Sequence, residues 1–88
     1  MELRFAKEFI LGDLCNDLIY ITKSYDKFLE LLEKDEYLTP FAVVDTERGL
    51  EMFEIDKNYD GEYFIWQRFM HKDSFLKFHN DNKIISYE

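Results

Sequence analysis

The chain is poor in the residues that staple or punctuate a fold: one cysteine, one proline, three glycines and two histidines in 88 residues. A lone Cys15 excludes an internal disulfide, and no Cys or His spacing matches a zinc site. That usage fits a reducing compartment, so the expected location is cytoplasmic. No stretch reaches the roughly 18 consecutive apolar residues of a membrane span, and Met1 to Glu8 mixes charges into its apolar positions, so neither an export signal nor insertion is expected. Cations are scarce as well. Eleven Lys and Arg stand against nineteen Asp and Glu, a formal net charge of −8. Direct binding of DNA or RNA through a basic patch is therefore disfavoured, because most affinity for phosphates comes from Lys and Arg releasing counterions.

Aromatics are abundant. Nine Phe, six Tyr and one Trp make 18% of the chain, and they supply large buried areas per side chain. With an apolar fraction of 47% and no linker, repeat or low-complexity tract, residues 1–88 read as one compact domain with room for one small core.

The organising stretch runs from Phe41 to Met70. Three strand-like runs, Phe41 to Val44, Leu50 to Ile55 and Tyr63 to Trp66, are separated by Thr46-Glu47-Arg48-Gly49 and Asn58-Tyr59-Asp60-Gly61. Glycine closing each turn supplies the left-handed residue that such connections need. The expectation is a three-stranded antiparallel meander over 41–70. Its middle strand is half buried, with Phe53 and Ile55 inward. Its third run is apolar on both faces, which points to a central or doubly covered strand with Ile65 and Trp66 in the core.

Around the meander, Ser24 is a good N-cap, and Tyr25, Phe28, Leu29, Leu31 and Leu32 recur at helical spacing, predicting an amphipathic helix over 25–36. Phe5, Phe9, Ile10 and Leu14 also fit a helical stripe, predicting an N-terminal helix over 2–11. From Gly12-Asp13 onward two readings stay open: a second short helix capped by Asp13, or a turn leading to a strand at 18–22, where Leu18 to Thr22 is rich in β-branched residues. Asp73-Ser74 caps a short helix over 74–80, and Ile84 to Tyr87 reads as a last strand at 84–87. The expected class is α+β, with the helices packed on the meander.

The sharpest local motif is Asp56-Lys57-Asn58-Tyr59-Asp60-Gly61, which matches the first half of an EF-hand loop, with calcium ligands at Asp56, Asn58 and Asp60. The second half is missing. Position 12 falls on Gln67 where a bidentate Glu is required, and the same residue types serve a hairpin turn for backbone reasons alone. No metal and no cofactor is expected. Cys15 with His71 or His79 would make a thiol–imidazole pair only on paper, since Cys15 sits in an apolar stretch as a small core residue would. Glu51 and Glu54 are paired acids without a phosphate loop or pocket signal to accompany them. The expectation is a protein that is not an enzyme.

Residues 38–80 carry a family resemblance. Thr39-Pro40-Phe41-Ala42, then Gly49 to Asp56, Tyr63-Phe64-Ile65-Trp66 and Asp73 to Phe78, with Tyr25 to Leu29 as an echo of a preceding helix, resemble the SUKH superfamily of bacterial immunity-type proteins. The resemblance implies an α+β binding fold that neutralises a toxin, often a nuclease, and has no active site.

Asp45 to Glu62 holds seven acids against Arg48 and Lys57, a net −5 in eighteen residues. Acidic surfaces attract basic partners and speed their encounter. The functional expectation is a non-enzymatic inhibitor whose carboxylates stand where phosphates would lie on a basic, nucleic-acid-processing partner, as in toxin immunity or phage anti-defence (anti-CRISPR) proteins. The expected contact residues are Glu47, Glu51, Glu54, Tyr59, Asp60 and Glu62, in a monomer or weak homodimer. The rival expectation is a structural or regulatory module that oligomerises, its acidity serving solubility.

Overall fold

The computed structural model describes residues 3–13 and 15–87. Six strands and two helices follow in the order β1 (Glu8–Asp13), β2 (Leu18–Thr22), α1 (Tyr25–Lys34), β3 (Thr39–Thr46), β4 (Gly49–Lys57), β5 (Tyr63–His71), α2 (Lys72–Phe78) and β6 (Lys83–Tyr87). All six strands join one sheet in the order β5-β4-β3-β1-β2-β6, antiparallel throughout except for the parallel pair β2 and β6.

This architecture corrects the expected one. A three-stranded meander flanked by N-terminal helices does not fit; the structure is a six-stranded mixed sheet, and the described residues form two helices only. Of the helix expected over 2–11, residues 3–7 form an irregular segment of turns and bends instead and residues 8–11 belong to β1, while residue 2 lies outside the described residues. The cause is double burial. Phe9 and Leu11 pack under α1, and Ile10 packs on the opposite face against the α2 side, so β1 is apolar on both faces and loses the alternation that marks a strand.

Two crossovers lie on opposite faces of the sheet. Helix α1 links β2 to β3 across β1, and its Phe28, Leu31 and Leu32 form a cluster with Phe9, Leu11, Ala42 and Ile55. The rings of Phe9 and Phe28 stack at 4.5 Å. Helix α2 carries the chain from the β5 edge to β6 at the far edge. Its Phe75, with Leu76 packed alongside, joins Ile10, Ile19, Phe41, Val43 and Met52. Residues of β1, β3 and β4 therefore divide between two thin cores.

Helix α1 starts where Ser24 Oγ accepts from the Lys27 amide at 3.1 Å. It ends at Asp35, which leaves the helical conformation (φ −145°). Gly49 and Gly61 both have positive φ, +99° and +82°, as the two turns of the meander require.

The position of β5 is a second correction. It is an edge strand paired only with β4, not a central one. Its register slips twice, between Met52 and Phe53 and between Glu54 and Ile55 of the partner strand. Such bulges re-aim side chains and blunt an edge. Trp66, expected in the core, is consequently 60% exposed. No helix among the described residues is long and apolar enough to cross a membrane.

Candidate functional site

The register sorts every connection to one of two ends of the sheet. Asp13 pairs with Leu18, Leu18 with Lys83, Gly12 with Thr39, and Lys57 with Tyr63. The end of β1, the start of β2, the α1–β3 connection, the β4–β5 turn and the α2–β6 connection are therefore neighbours. At the other end lie the start of β1, the β2–α1 and β3–β4 turns, and the β5–α2 junction.

Charge is divided unequally between these ends. The first holds Asp13 and Asp17 of the β1–β2 hairpin, Asp35 and Glu36 after α1, Asp56, Asp60 and Glu62 around the β4–β5 turn, and Asp81 before β6. In the connections only Lys57 and Lys83 oppose these eight acids; with Glu33, Lys34 and Lys77 from the last turns of the two helices, this end carries −5 of the chain's −8. The other end has Glu8, Asp26, Asp45, Glu47 and Asp73 against Arg4, Lys7, Lys23, Arg48 and Lys72, and is balanced.

At the acidic end the carboxylates bond locally. Asp13 accepts from Asn16 Nδ2 at 2.9 Å, Asp35 from the Tyr37 amide at 3.0 Å, and Asp56 from the Lys57 amide at 2.8 Å. None of the eight acids is in an ion pair with another described residue. Two tyrosines project beside them. Tyr37 in the α1–β3 connection is 84% exposed, and Tyr59 at the hairpin tip is fully so.

Asn58 builds that tip. Its Oδ1 accepts from the amides of Asp60 (3.0 Å) and Glu62 (2.9 Å), and its Nδ2 donates to Glu62 Oε1 at 3.4 Å. The oxygen that a calcium ion would need from Asn58 is thus already committed to the turn. Among the described residues, no group of three or more His, Cys, Asp or Glu side chains is placed to hold a metal ion.

A groove opens on the α1 face of this end, between the helix and the β4–β5 hairpin. Its volume is about 570 Å³. Leu29, Leu32, Leu38, Pro40, Ile55 and Tyr63 line the apolar part; Glu33 and Glu36 stand on one side, Asp56 and Lys57 on the other. Lys57 Nζ leans over the Tyr63 ring, 5.4 Å from its centroid.

The expected contact residues scatter against this geometry. Tyr59, Asp60 and Glu62 come together at the acidic end. Glu47 lies in the β3–β4 turn at the opposite end, separated from them by the length of β4, about 26 Å at strand rise. Glu51 is 4% exposed and turned inward, accepting from Arg68 Nε at 2.9 Å, with His71 Nε2 at 3.9 Å. The Arg68 guanidinium holds the Glu51 carboxyl below the ordinary glutamate value of 4.5, against the opposing effect of burial. Glu54 is half-buried on the α2 face and accepts from Gln67 Nε2 at 3.3 Å.

Asp13, Asp17, Asp35, Glu36 and Asp81 escaped the sequence reading, because each stands in a different connection and only the strand order gathers them. Cys15, expected in the core, is exposed. It sits in the β1–β2 turn, at the opposite end from His71, and the His79 ring packs on Phe75 and Phe78. No family model matches the chain, and no curated protein or solved structure matches it.

Proposed function

We propose that the protein is a non-enzymatic inhibitor that presents its acidic end to a basic partner and occupies a nucleic-acid groove there. One observation carries this reading: eight acids and two exposed tyrosines gather at one end of the sheet while the other end is neutral. Carboxylates spread over the connections stand in for phosphates, and tyrosine adds the flat apolar contact on which an arginine stacks. The partner class that fits is a nuclease or other nucleic-acid-processing enzyme. The likeness of the β3–α2 segment to immunity-type proteins favours a toxin partner over a phage anti-defence target. The setting would be the cytoplasm, and the inhibitor would act as a monomer.

The test is capture of purified basic nucleases on the immobilised protein, with a basic protein lacking a nucleic-acid site as control. Binding should inhibit cleavage and weaken steeply between about 50 and 500 mM salt, across which screening shortens severalfold in range. Binding that ignores salt, or equal capture of the control protein, overturns the reading.

A second reading rests on a different observation. Trp66 and Phe69 on the β5 edge are 60% and 37% exposed, and Ile84 on the β6 edge 45%. Exposed apolar side chains on sheet edges suit self-association. Sedimentation decides it, since this reading requires a dimer whose population rises with concentration and falls on Trp66→Ser.

A further inference from the structure

We propose that the groove between α1 and the β4–β5 hairpin is the seat of one arginine side chain of the basic partner; this rests on the function proposed above and names the contact through which it acts. The groove has the two parts that an arginine has. Its apolar wall, formed by Leu29, Leu32 and Ile55, suits a three-carbon stem. Its rim places Glu33 and Glu36 on the helix side and Asp56 on the hairpin side, so a guanidinium seated there has carboxylate acceptors on either wall. A lysine ammonium, more strongly hydrated and without the fork, gains less from that arrangement.

One cation already stands at the groove. Lys57, on the hairpin wall beside Asp56, holds its ammonium over the Tyr63 ring, 5.4 Å from its centroid. It is the lining's single cation, and it competes with an incoming guanidinium for the Tyr63 face and the nearby carboxylates. Removing Lys57 should therefore help binding by more than its charge alone accounts for. Lys83, at the same end but in β6 at the far edge of the sheet, gives the charge-only comparison.

The experiment titrates the labelled protein with a capped arginine–glycine repeat peptide, and with its lysine counterpart, following amide shifts at low salt. The expected result is shifts at Leu29, Glu33, Glu36 and Asp56, with the arginine peptide bound more tightly than the lysine one. Glu36→Gln combined with Asp56→Asn should weaken the arginine peptide about tenfold. Lys57→Ala should tighten it about threefold more than Lys83→Ala does.

Several results overturn the seat and leave the proposed function standing. They are shifts confined to the Tyr59 and Asp60 tip, equal affinity for both peptides, or equal effects of Lys57→Ala and Lys83→Ala. Groove shifts that appear with concentration alone, without peptide, overturn it in favour of a second copy of the chain. No binding of either peptide at low salt overturns the seat and the proposed function together.

Discussion

At the Glu8 end of the sheet, the two buried carboxylates have partners: Lys72 meets Glu8, and Arg68 meets Glu51 at 2.9 Å, while Arg4 and Asp26 pair at 3.2 Å in the open. At the Asp13 end, the connections hold eight acids against Lys57 and Lys83, and none of the eight is in an ion pair with another described residue. The first arrangement is what folding demands, because a desolvated charge without a counter-charge is costly. The second is not demanded by folding at all, since crowded like charges repel one another and raise the energy of the compact state. Such an arrangement on the connections of an otherwise consistent fold is what the binding function proposed above would account for. The difference predicts a separation of effects: changes at the acidic end alter binding, and changes at the balanced end alter stability.

The largest effect that would break this comparison comes from neutralising the acidic end. Glu36→Gln, Asp56→Asn, Asp60→Asn and Glu62→Gln in one chain should weaken the partner captured above about 100-fold, close to 3 kcal/mol. Thermal unfolding should stay level or rise slightly, as repulsion is relieved. A large fall in Tm would show that these acids hold the fold, and the comparison would collapse.

Arg68→Ala is the counterpart at the balanced end. It leaves the inward-facing Glu51 carboxylate without its main partner, and Tm at neutral pH should fall by on the order of 8 °C while partner affinity stays unchanged. The pH dependence follows from the direction of the Glu51 shift. Its folded value lies below the unfolded one, so its contribution is present above the ordinary 4.5 and is lost as pH falls through the lower folded value. The gap in Tm between the native chain and Arg68→Ala should close on acidification below that value. A gap that is constant with pH would separate the destabilisation from the charge of Glu51.

How much of this was readable in the sequence depends on whether the signal is local. Ser24 capping α1, and Gly49 and Gly61 closing the two turns, are local, and residue chemistry announces them. The apolar spacing of Phe28, Leu31 and Leu32 is local too. Strand β1 was missed because burial on both faces erased its alternation and left Phe5, Phe9 and Ile10 mimicking a helical stripe. Trp66 was placed wrongly because the two register shifts that turn it outward belong to the pairing with β4 and not to β5 alone. The site divides in the same way. Tyr59, Asp60 and Glu62 share one turn and could be seen together, whereas Asp13, Asp35 and Asp81 meet only because a parallel pairing sets Leu18 beside Lys83 and the antiparallel ladder sets Gly12 beside Thr39. Linear charge density selected Glu47 and Glu51 for the same reason that it overlooked those three: it measures neighbours along the chain, not across the sheet.

The smallest effect sharpens the comparison through a neutral residue. Ser24 lies at the balanced end, where its hydroxyl oxygen accepts from the Lys27 amide and satisfies one of the free donors of the first helical turn. Ser24→Ala should cost about 1 kcal/mol, near 5 °C in Tm, and Ser24→Asp should recover most of it, because aspartate caps equally well and its charge suits the helix N-terminus. Ser24→Asp also makes the whole chain more acidic by one charge while leaving the acidic end untouched. If net charge alone governs partner binding, its affinity should rise above that of Ser24→Ala; if the arrangement at the Asp13 end governs it, the two variants should bind equally. Titration of both against the same partner at low salt reads the difference directly, free of any change in the acidic connections.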